Sequence, residues 1–282
     1  MYKNKRVAVV MPAYNAEKTL REAYEEVVAQ GVVDTVVIVD DCSKDGTEAV
    51  ANEICSGGVG IRRPTVLYRR HESNRGYGGN QKSCYELALK EGADIVVMVH
   101  PDCQYTPKLI VPMVVMIAEG LHPCVLASRI LGGYALKGGM PLWKYLNNRW
   151  LTAVMNLLLG SKLSEFHTGY RAFSADLIRK LPLAENTDDF AFDAQMLAEI
   201  LWTGATIGEV SCPTVYTPEA SSINFRRSCT YGFGCLQVAL CYRLAKLHLL
   251  KSRKFANQIS RGQFHGDSPR TDGPRTDDLE PN

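Results

Sequence analysis

Apolar runs alternate with amphipathic helical patterns through the first hundred residues of the chain. The runs predict strands at residues 6–13, 34–41, 65–70 and 93–100. Helices are predicted between them at 16–30, 45–55 and 78–92, the first with Asn15 as its N-cap. Because these strands are apolar throughout rather than on alternate positions, they predict an α/β fold with a mainly parallel sheet covered by helices on both faces.

After residue 100 the pattern is less regular. A glycine-rich loop at 132–141 precedes a helical pattern at 142–160. An acidic helix at 188–204 and a strand at 205–216 follow. We therefore divide the chain into a main α/β domain at 1–230, an amphipathic helix at 231–255 and a tail at 256–282. We expect the tail to be disordered because it is rich in Gly, Pro, Ser, Arg and Asp.

Composition narrows the class of protein. The chain has 282 residues, 46% of them hydrophobic, and a net charge of +2, which is too small to indicate a nucleic-acid binder. Its nine cysteines include no C-x-x-C pair, so zinc binding is not expected and the thiols indicate a cytoplasmic protein. The apolar N-terminal run is too short for a signal peptide, and no apolar run reaches the roughly 18 residues of a transmembrane helix.

Polar side chains follow two of the predicted strands directly. Asp40 and Asp41 end the second strand, and Asp102 and Gln104 follow the strand that runs into His100. The carboxyl ends of parallel strands meet at one edge of the sheet, where ligands bind. A carboxylate and an amide oxygen form part of a ligand set for a hard divalent cation, and the alternative is a polar turn.

Six segments occur in an order that resembles a known family. They read VVMPAYNAEKTL, VDDCSKDGT, NRGYGGNQKSC, HPDCQYTP, ASRILGG and SEFHTGYRAF. Together they resemble glycosyltransferase family 2 over about residues 5–230, and within it the dolichyl- and polyprenyl-phosphate sugar transferases. The resemblance implies a GT-A (Rossmann-like) fold, a nucleotide-sugar donor and inversion at the sugar carbon.

The resemblance also assigns residues to the nucleotide pocket. These are Pro12, Ala13, Tyr14, Glu17, Asp41, Asn74, Arg75 and Gly79. Asp41 is expected to accept hydrogen bonds from the base. The glycine-rich segment that contains Gly79 has an alternative role as a simple turn into the following helix.

The metal motif of the family departs from its usual form in this chain. The family pattern is Asp-x-Asp-x-Gln, and here His100 takes the first place, while Asp102 and Gln104 keep the other two. We expect a cofactor of Mn²⁺ or Mg²⁺, and an imidazole ligand favours Mn²⁺. Either His100 binds the metal, or it orients Asp102 from behind.

Acceptor and catalytic roles follow from the remaining motifs. Arg129 and Arg149 match positions that bind an acceptor phosphate, and Arg171, Arg226 and Arg227 are further candidates. The resemblance places Glu165, His167 and Thr168 beside the reacting sugar, with Asp102 as a catalytic residue. His167 and Asp193 are candidate bases for a hydroxyl acceptor, against structural roles for both.

The last helical pattern raises the question of membrane contact. Leu236, Leu240, Leu244 and Leu247 fall on one face, and several Lys and Arg residues lie nearby. Such a helix can lie in a membrane interface, and the alternative is that its leucines pack on the domain.

These observations predict a metal-dependent, inverting glycosyltransferase that uses a UDP- or GDP-sugar. The expected acceptor is a polyprenyl phosphate, with peripheral contact at the cytoplasmic face of a membrane. One alternative is a family 2 enzyme acting on a hydroxyl of a glycan, protein or small molecule. Another is a catalytically weakened nucleotide-sugar-binding protein, which the replacement at His100 would favour.

Overall fold

The computed structural model describes residues 1–57, 63–214, 216 and 225–255, and within residues 225–227 only the backbone. The described part contains a single seven-stranded sheet. Its strands are β1 (Val7–Ala13), β2 (Thr35–Asp40), β3 (Thr65–Arg70), β4 (Ile95–Met98), β5 (Cys124–Ser128), β6 (Arg171–Ser174) and β7 (Ile207–Ser211). The predicted tail at 256–282 lies outside the described residues.

Eight α-helices connect these strands in the described residues. They are α1 (Leu20–Val28), α2 (Thr47–Ser56), α3 (Gly76–Lys90), α4 (Ile110–Ala118), α5 (Leu142–Leu159), α6 (Ala175–Lys180), α7 (Phe192–Thr203) and α8 (Phe225–Lys246). The predicted strands and helices of the first hundred residues are confirmed, with ends shifted by a few residues.

The predicted cap of the first helix was wrong. Asn15 lies ahead of the helix with φ +51°, and its side-chain oxygen accepts a hydrogen bond from the Lys44 amide at 2.9 Å. Thr19 is the residue that precedes α1. Asn15 therefore ties together the two loops that follow β1 and β2, because its side chain reaches across to the second loop.

The sheet is parallel except at one strand. Its order is β3-β2-β1-β4-β6-β5-β7, and β6 runs antiparallel to both β4 and β5. The strands β1 to β4 pair in parallel, as do β5 and β7. The mainly parallel sheet of the sequence-based prediction is confirmed, and the antiparallel β6 is an addition to it.

Both faces of the sheet are covered, because alternate residues of each strand point to opposite sides. On β1, Val7 and Val9 pack with α1, α2 and α4, whereas Ala8 and Val10 pack with α3, α5, α7 and α8. The two apolar layers hold the carboxyl ends of β1, β2 and β4 in one row, so the loops that follow these strands share one edge.

The C-terminal helix begins earlier than predicted and packs by a different stripe. It starts at Phe225, so the expected boundary between residues 230 and 231 falls inside α8. Its buried residues are Cys235, Val238, Ala239, Tyr242 and Ala245, and they join the core beside α5 and α7. Leu236 packs against this core, whereas the leucines at 240 and 247 remain about half exposed, so packing on the domain accounts for only part of the predicted leucine face. Among the described residues, no helix combines the length and the apolar character that crossing a bilayer requires.

Candidate active site

A cavity of about 510 Å³ lies next to the residues that follow β4 and β5. Helices α3, α5, α7 and α8 and the loops before β6, before α7 and after β7 supply the rest of its walls. The polar and charged side chains that line it include His100, Asp102, Gln104, Arg129, Lys144, His167 and Asp193. Its aromatic lining includes Trp143, Trp150, Tyr231 and Phe233. The cavity therefore has a charged inner part and an apolar rim.

The predicted metal ligands lie together in this cavity. β4 ends at Met98, and a tight turn follows in which Cys103 adopts φ +53° and the Gln104 amide donates to Asp102 Oδ1 at 3.1 Å. The turn brings His100, Asp102 and Gln104 to the same cavity wall. No group of three or more His, Cys, Asp or Glu side chains in the described residues is arranged to hold a metal ion. The chain thus offers one carboxylate and one amide, and further oxygen ligands must come from a bound substrate.

His100 is held by a neighbouring tyrosine. Its Nε2 lies 3.2 Å from the hydroxyl of Tyr77, and the two rings stack with centroids 5.5 Å apart. The Tyr77 hydroxyl donates to Asp193 Oδ2 at 2.8 Å. Burial lowers the pKa of His100, with a partly opposing effect from Asp102 and Asp193. The hydrogen bond of His100 therefore goes to Tyr77 and not to Asp102, which does not support its role as the residue that orients Asp102.

Arg129 forms a buried ion pair with Glu165. Glu165 accepts hydrogen bonds from the Arg129 guanidinium, from the Arg129 amide at 2.8 Å and from Asn148 at 2.8 Å. Burial alone would raise the pKa of Glu165, but the charge and hydrogen bonds of Arg129 outweigh it and the pKa is lowered. Arg129 also donates to Tyr216 and to the His167 carbonyl. Glu165 therefore positions Arg129, which lines the cavity.

Two of the three residues expected beside the sugar do not reach the cavity. Glu165 and Thr168 are fully buried, and the Thr168 hydroxyl donates to the Ala127 carbonyl at 2.7 Å. Their predicted contact with the sugar is therefore not supported by this arrangement, since neither side chain lines the cavity. His167 does line it, and its Nδ1 lies 2.8 Å from the Tyr231 hydroxyl.

His167 is a weak base in this environment. Its Nε2 is enclosed and has no hydrogen-bond partner among the described residues. Burial lowers the pKa of His167 to about 4. The ring therefore stays neutral at pH 7, and its low basicity argues against general-base catalysis there. The other candidate base, Asp193, is occupied by hydrogen bonds from Tyr77 and Gln81.

The cations are placed differently from the prediction. Arg149 is exposed on α5, donates to the Ser164 carbonyl at 3.2 Å and does not line the cavity. Lys144, one turn earlier, does line it and forms no ion pair among the described residues. Burial and then the charge of Arg129 lower the pKa of Lys144. Lys144 was missed because a lysine in the first turns of a helix carries no signal by itself.

Of the other candidate arginines, Arg171 does not line the cavity. Arg171 is 1% exposed and donates to the carbonyls of Phe166, Thr168 and Asp193, so its role is structural. The side chains of Arg226 and Arg227 lie outside the described residues.

The residues predicted for nucleotide binding form a separate group. They lie at the end of β1, in the loops after β1 and β2, or at the start of α3, and none of them lines the cavity. Tyr14 is half exposed, and Pro12 and Ala13 close β1 beside it. Glu17 accepts a hydrogen bond from the Gly46 amide at 3.0 Å, so it fixes the loop after β2.

The carboxylate of Asp41 is already occupied. It accepts from the amides of Arg75 and Gly76 at 2.8 and 2.9 Å, and its Oδ1 lies 2.8 Å from His71 Nδ1. The Asn74 side chain donates to the Asp41 carbonyl at 3.1 Å. The predicted hydrogen bond from Asp41 to a base is therefore not supported, because the carboxylate is 3% exposed and already holds three protein groups.

The glycine-rich segment is shaped by packing on the loop before α7. The amides of Gly78 and Gly79 donate to the Asp188 carbonyl at 2.7 and 3.3 Å. A side chain at Gly78 would come within 2.6 Å of the Thr187 carbonyl. Gly79 lies in the first turn of α3, and these contacts favour a structural role for it, since its amide is not free for a phosphate.

Known proteins resemble this chain in sequence. Residues 8–182 match the model of glycosyl transferase family 2. The UDP-N-acetylglucosamine–dolichyl-phosphate N-acetylglucosaminyltransferase of Methanococcus voltae is 28% identical over 221 residues, which cover 76% of this chain and 87% of that protein. The undecaprenyl-phosphate mannosyltransferase of Micrococcus luteus is 25% identical over 217 residues, which cover 73% of this chain and 82% of that protein.

A solved structure resembles it in fold. Glucosyl-3-phosphoglycerate synthase from Mycobacterium tuberculosis, in complex with Mn²⁺, UDP and glucosyl-3-phosphoglycerate, superposes with a TM-score of 0.59. It is 19% identical, with 88% of this chain and 82% of that chain covered. At this identity the similarity shows the fold, and it confirms the GT-A architecture expected from the motifs.

Proposed function

The chain belongs to glycosyltransferase family 2 and is a nucleotide-sugar glycosyltransferase, and from that premise we propose its donor, acceptor and cofactor. It transfers a sugar from a UDP- or GDP-sugar to a polyprenyl phosphate, with inversion at the sugar carbon and with Mn²⁺ or Mg²⁺. The observation that carries this proposal is a single cavity that joins Asp102 and Gln104 to two cations and an apolar rim. The names of the archaeal and bacterial relatives, which act on dolichyl and undecaprenyl phosphate, support the same acceptor class.

The donor set of the cavity fits a hard divalent cation. Asp102 and Gln104 supply oxygen atoms, and His100 supplies a ring nitrogen. With one carboxylate, the site depends on diphosphate oxygens to complete the coordination, as Mg²⁺ and Mn²⁺ sites in phosphoryl enzymes commonly do. When bound, such a cation neutralises the charge that develops on the leaving nucleoside diphosphate.

The cations of the cavity fit a phosphate acceptor. Glu165 neutralises Arg129, whereas Lys144 faces the cavity without a carboxylate partner among the described residues. A lipid phosphate is ionised at neutral pH and needs positive charge rather than a general base. A hydroxyl acceptor would need a base, and His167 with its lowered pKa and Asp193 with its occupied oxygens do not provide one.

The outer surface beside the cavity fits a membrane interface. Exposed apolar side chains on α5 and α8 adjoin the aromatic rim, and Phe233 and Leu240 are one heptad apart on α8, with Leu247 in the turn that follows the helix. Trp150 is 61% exposed and Phe233 75% exposed. A contiguous apolar surface of this kind, next to basic side chains, is typical of peripheral membrane contact. We place the enzyme on the cytoplasmic face of a membrane, where nucleotide sugars are available.

The decisive experiment is release of nucleoside diphosphate from a panel of UDP- and GDP-sugars. It is run with Mn²⁺, Mg²⁺ or EDTA, and with or without a short polyprenyl phosphate. Release that requires both the metal and the lipid phosphate establishes the proposal. Metal-dependent release that ignores the lipid assigns a hydroxyl acceptor, and nucleotide binding without release from any donor assigns a binding protein.

Lys144 and Arg149 provide a matched pair for the acceptor site. Lys144→Gln should raise the KM for the lipid phosphate by about 10-fold or more, because a charge-assisted hydrogen bond is worth about 1.5–3 kcal/mol. Arg149→Gln removes a charge from the same helix outside the cavity and should change the KM by less than about twofold. Equal effects of the two substitutions would contradict the placement of the phosphate.

The membrane surface is tested by flotation with liposomes that contain an anionic phospholipid. The double substitution Leu240→Ser and Leu247→Ser should reduce the bound fraction severalfold, since each removes apolar area from the interface. Leu121→Ser, at a leucine that is 61% exposed in the loop after α4, is the control and should leave binding unchanged. Loss of binding in both variants, or in neither, would exclude this surface.

A further inference from the structure

We propose that Tyr77 and Asp193 hold His100 in a single tautomer, with the proton on Nε2 and the Nδ1 lone pair open to the cavity. In this form the imidazole is a metal ligand that favours Mn²⁺ over Mg²⁺. The inference rests on the proposed function, because it concerns the cation that accompanies the nucleotide. It adds Tyr77 and Asp193 as positioning residues and makes His100 the residue that determines metal specificity.

Counting protons along the chain of contacts determines the tautomer. The Tyr77 hydroxyl lies 2.8 Å from Asp193 Oδ2 and 3.2 Å from His100 Nε2. A carboxylate can only accept, so the single proton of Tyr77 goes to Asp193. The Tyr77 oxygen can then only accept from His100, which places the ring proton on Nε2.

The Asp193 carboxylate, at the other end of this chain of hydrogen bonds, is held in one orientation. Asp193 Oδ1 accepts from Gln81 Nε2 at 3.1 Å and lies 3.3 Å from the Arg171 guanidinium. Asp193 is 7% exposed and Arg171 1% exposed, so this pairing is shielded from water. The carboxylate is thereby oriented with Oδ2 toward Tyr77, and the direction of the hydrogen bonds is fixed from inside the protein.

The ring of His100 is also confined sterically. It stacks on Tyr77, and its Nε2–Cδ2 edge lies close to Gly169. A Cβ atom at residue 169 would lie 2.6 Å from Nε2 of His100, so only glycine leaves room for the ring. Gly169, in the HTGYR segment, therefore leaves the space that the His100 ring occupies because it has no side chain.

The remaining ring nitrogen is the one available to a ligand. Nδ1 of His100 has no hydrogen-bond partner within the described residues, and it is not among the enclosed polar atoms that lack one. It therefore opens toward the cavity that His100, Asp102 and Gln104 line together. Mg²⁺ strongly prefers oxygen ligands, whereas Mn²⁺ accepts imidazole nitrogen more readily, so the ring shifts selectivity toward Mn²⁺.

The tautomer can be read directly by long-range ¹⁵N–¹H correlation NMR of the histidine side chains, with His100 assigned by His100→Gln. The wild-type protein should show the Nε2–H form. In Asp193→Asn, Gln81 and Arg171 keep the amide oxygen, so the amide nitrogen donates to Tyr77 and Tyr77 must donate to His100. This variant should therefore show the Nδ1–H form, and Tyr77→Phe should show a mixture of both.

Metal selectivity is measured separately, by EPR of free Mn²⁺ with UDP or GDP present and by competition with Mg²⁺. His100→Asp should lower the preference for Mn²⁺ by about tenfold or more, and Asp193→Asn should weaken Mn²⁺ binding by about tenfold with little change for Mg²⁺. An Nδ1–H or mixed tautomer in the wild type, or an unchanged metal preference in His100→Asp, overturns the inference. Neither readout requires sugar transfer, so failure of the proposed acceptor would be seen independently in the release assay.

Discussion

Two hydrogen-bonded relays that join a carboxylate to a histidine differ in how they end. In the first, Asp41 holds Nδ1 of His71, and Nε2 of His71 lies 2.9 Å from the hydroxyl of Ser83. All three side chains are at most 5% exposed, and both ring nitrogens are occupied. In the second, Asp193 and Tyr77 occupy only one nitrogen of His100, and the other faces the cavity. The Asp41–His71–Ser83 relay is therefore a structural element, and we call it the closed relay. The Asp193–Tyr77–His100 relay, which we call the open relay, leaves one ring nitrogen available, and we expect the chemistry to take place beside it.

The largest difference between the open and the closed relay is expected when the carboxylate of Asp102, which lines the same cavity as His100, is removed. Asp102→Asn should lower kcat/KM by about 100- to 1000-fold, because it weakens the stabilisation of the leaving diphosphate. The amide keeps an oxygen for the Gln104 amide, so unfolding should change by less than about 0.5 kcal/mol. Nucleotide release and thermal denaturation measure the two effects, and a loss of stability without loss of turnover would reverse the assignment.

In the closed relay, Asp41→Asn should have the opposite effect. The amide nitrogen of the new side chain would face a backbone N–H from which Asp41 now accepts a hydrogen bond, so stability should fall by about 1–3 kcal/mol. The KM for the donor sugar, measured on the folded fraction, should stay within about twofold. A raised KM with unchanged stability would instead restore Asp41 to the base-binding role that the sequence suggested.

A third buried carboxylate, Glu199, has no histidine at all and sharpens the comparison through pH. It accepts from Asn186 at 2.9 Å with one oxygen, and the other has no partner among the described residues. Burial raises the pKa of Glu199 to about 7. Between pH 4.5 and 7 the unfolded chain loses this proton while the folded protein keeps it, so stability falls through that window and stays low above it.

Glu199→Gln should therefore stabilise the protein by about 2–3 kcal/mol at pH 8 and by less than about 1 kcal/mol at pH 5. Thermal denaturation of both proteins at the two pH values gives the comparison. An equal difference at pH 5 and pH 8 would show that the carboxyl group is not the cause.

The smallest effect is expected from the end of the closed relay. Ser83→Ala removes the partner of His71 Nε2 and should cost about 1 kcal/mol, with turnover and metal preference unchanged. It is the counterpart of Tyr77→Phe, which removes the corresponding hydroxyl from the open relay. A change in metal preference in Ser83→Ala would show that the two relays are coupled.

The sequence was sufficient to predict those strands and helices that show a clear apolar pattern within their own segment. The strands β1 to β4 are long apolar runs with helices between them, and the turn at 100–104 follows directly from the end of β4. β5, β6 and α4 were not predicted, because CVLAS and RAFS are too short to show a period and IVPMVVMIA is apolar on all sides. The residue pattern thus predicted the edge where the carboxyl ends of the strands meet, but it did not predict strands β5 and β6, which complete the sheet.

The site was predictable only in part for a related reason. His100, Asp102 and Gln104 lie within five consecutive residues, so their meeting in one cavity followed from the strand end. Tyr77 and Asp193 are separated by 116 residues, and nothing in either segment marks the contact. The family motif also proposed Glu165 as a sugar contact, whereas its burial makes it the counterion of Arg129.

The antiparallel strand β6 has a consequence for how the polypeptide is synthesised. The strands β1 to β4 can pair as soon as residue 98 has emerged from the ribosome, since all their neighbours but one are already made. The open edge of β4 and both edges of β5 wait for β6 and β7, which come later in the chain. A nascent chain that stalls before Arg171 would therefore expose strand edges with apolar faces, the kind of surface that chaperones bind and that aggregates when they do not.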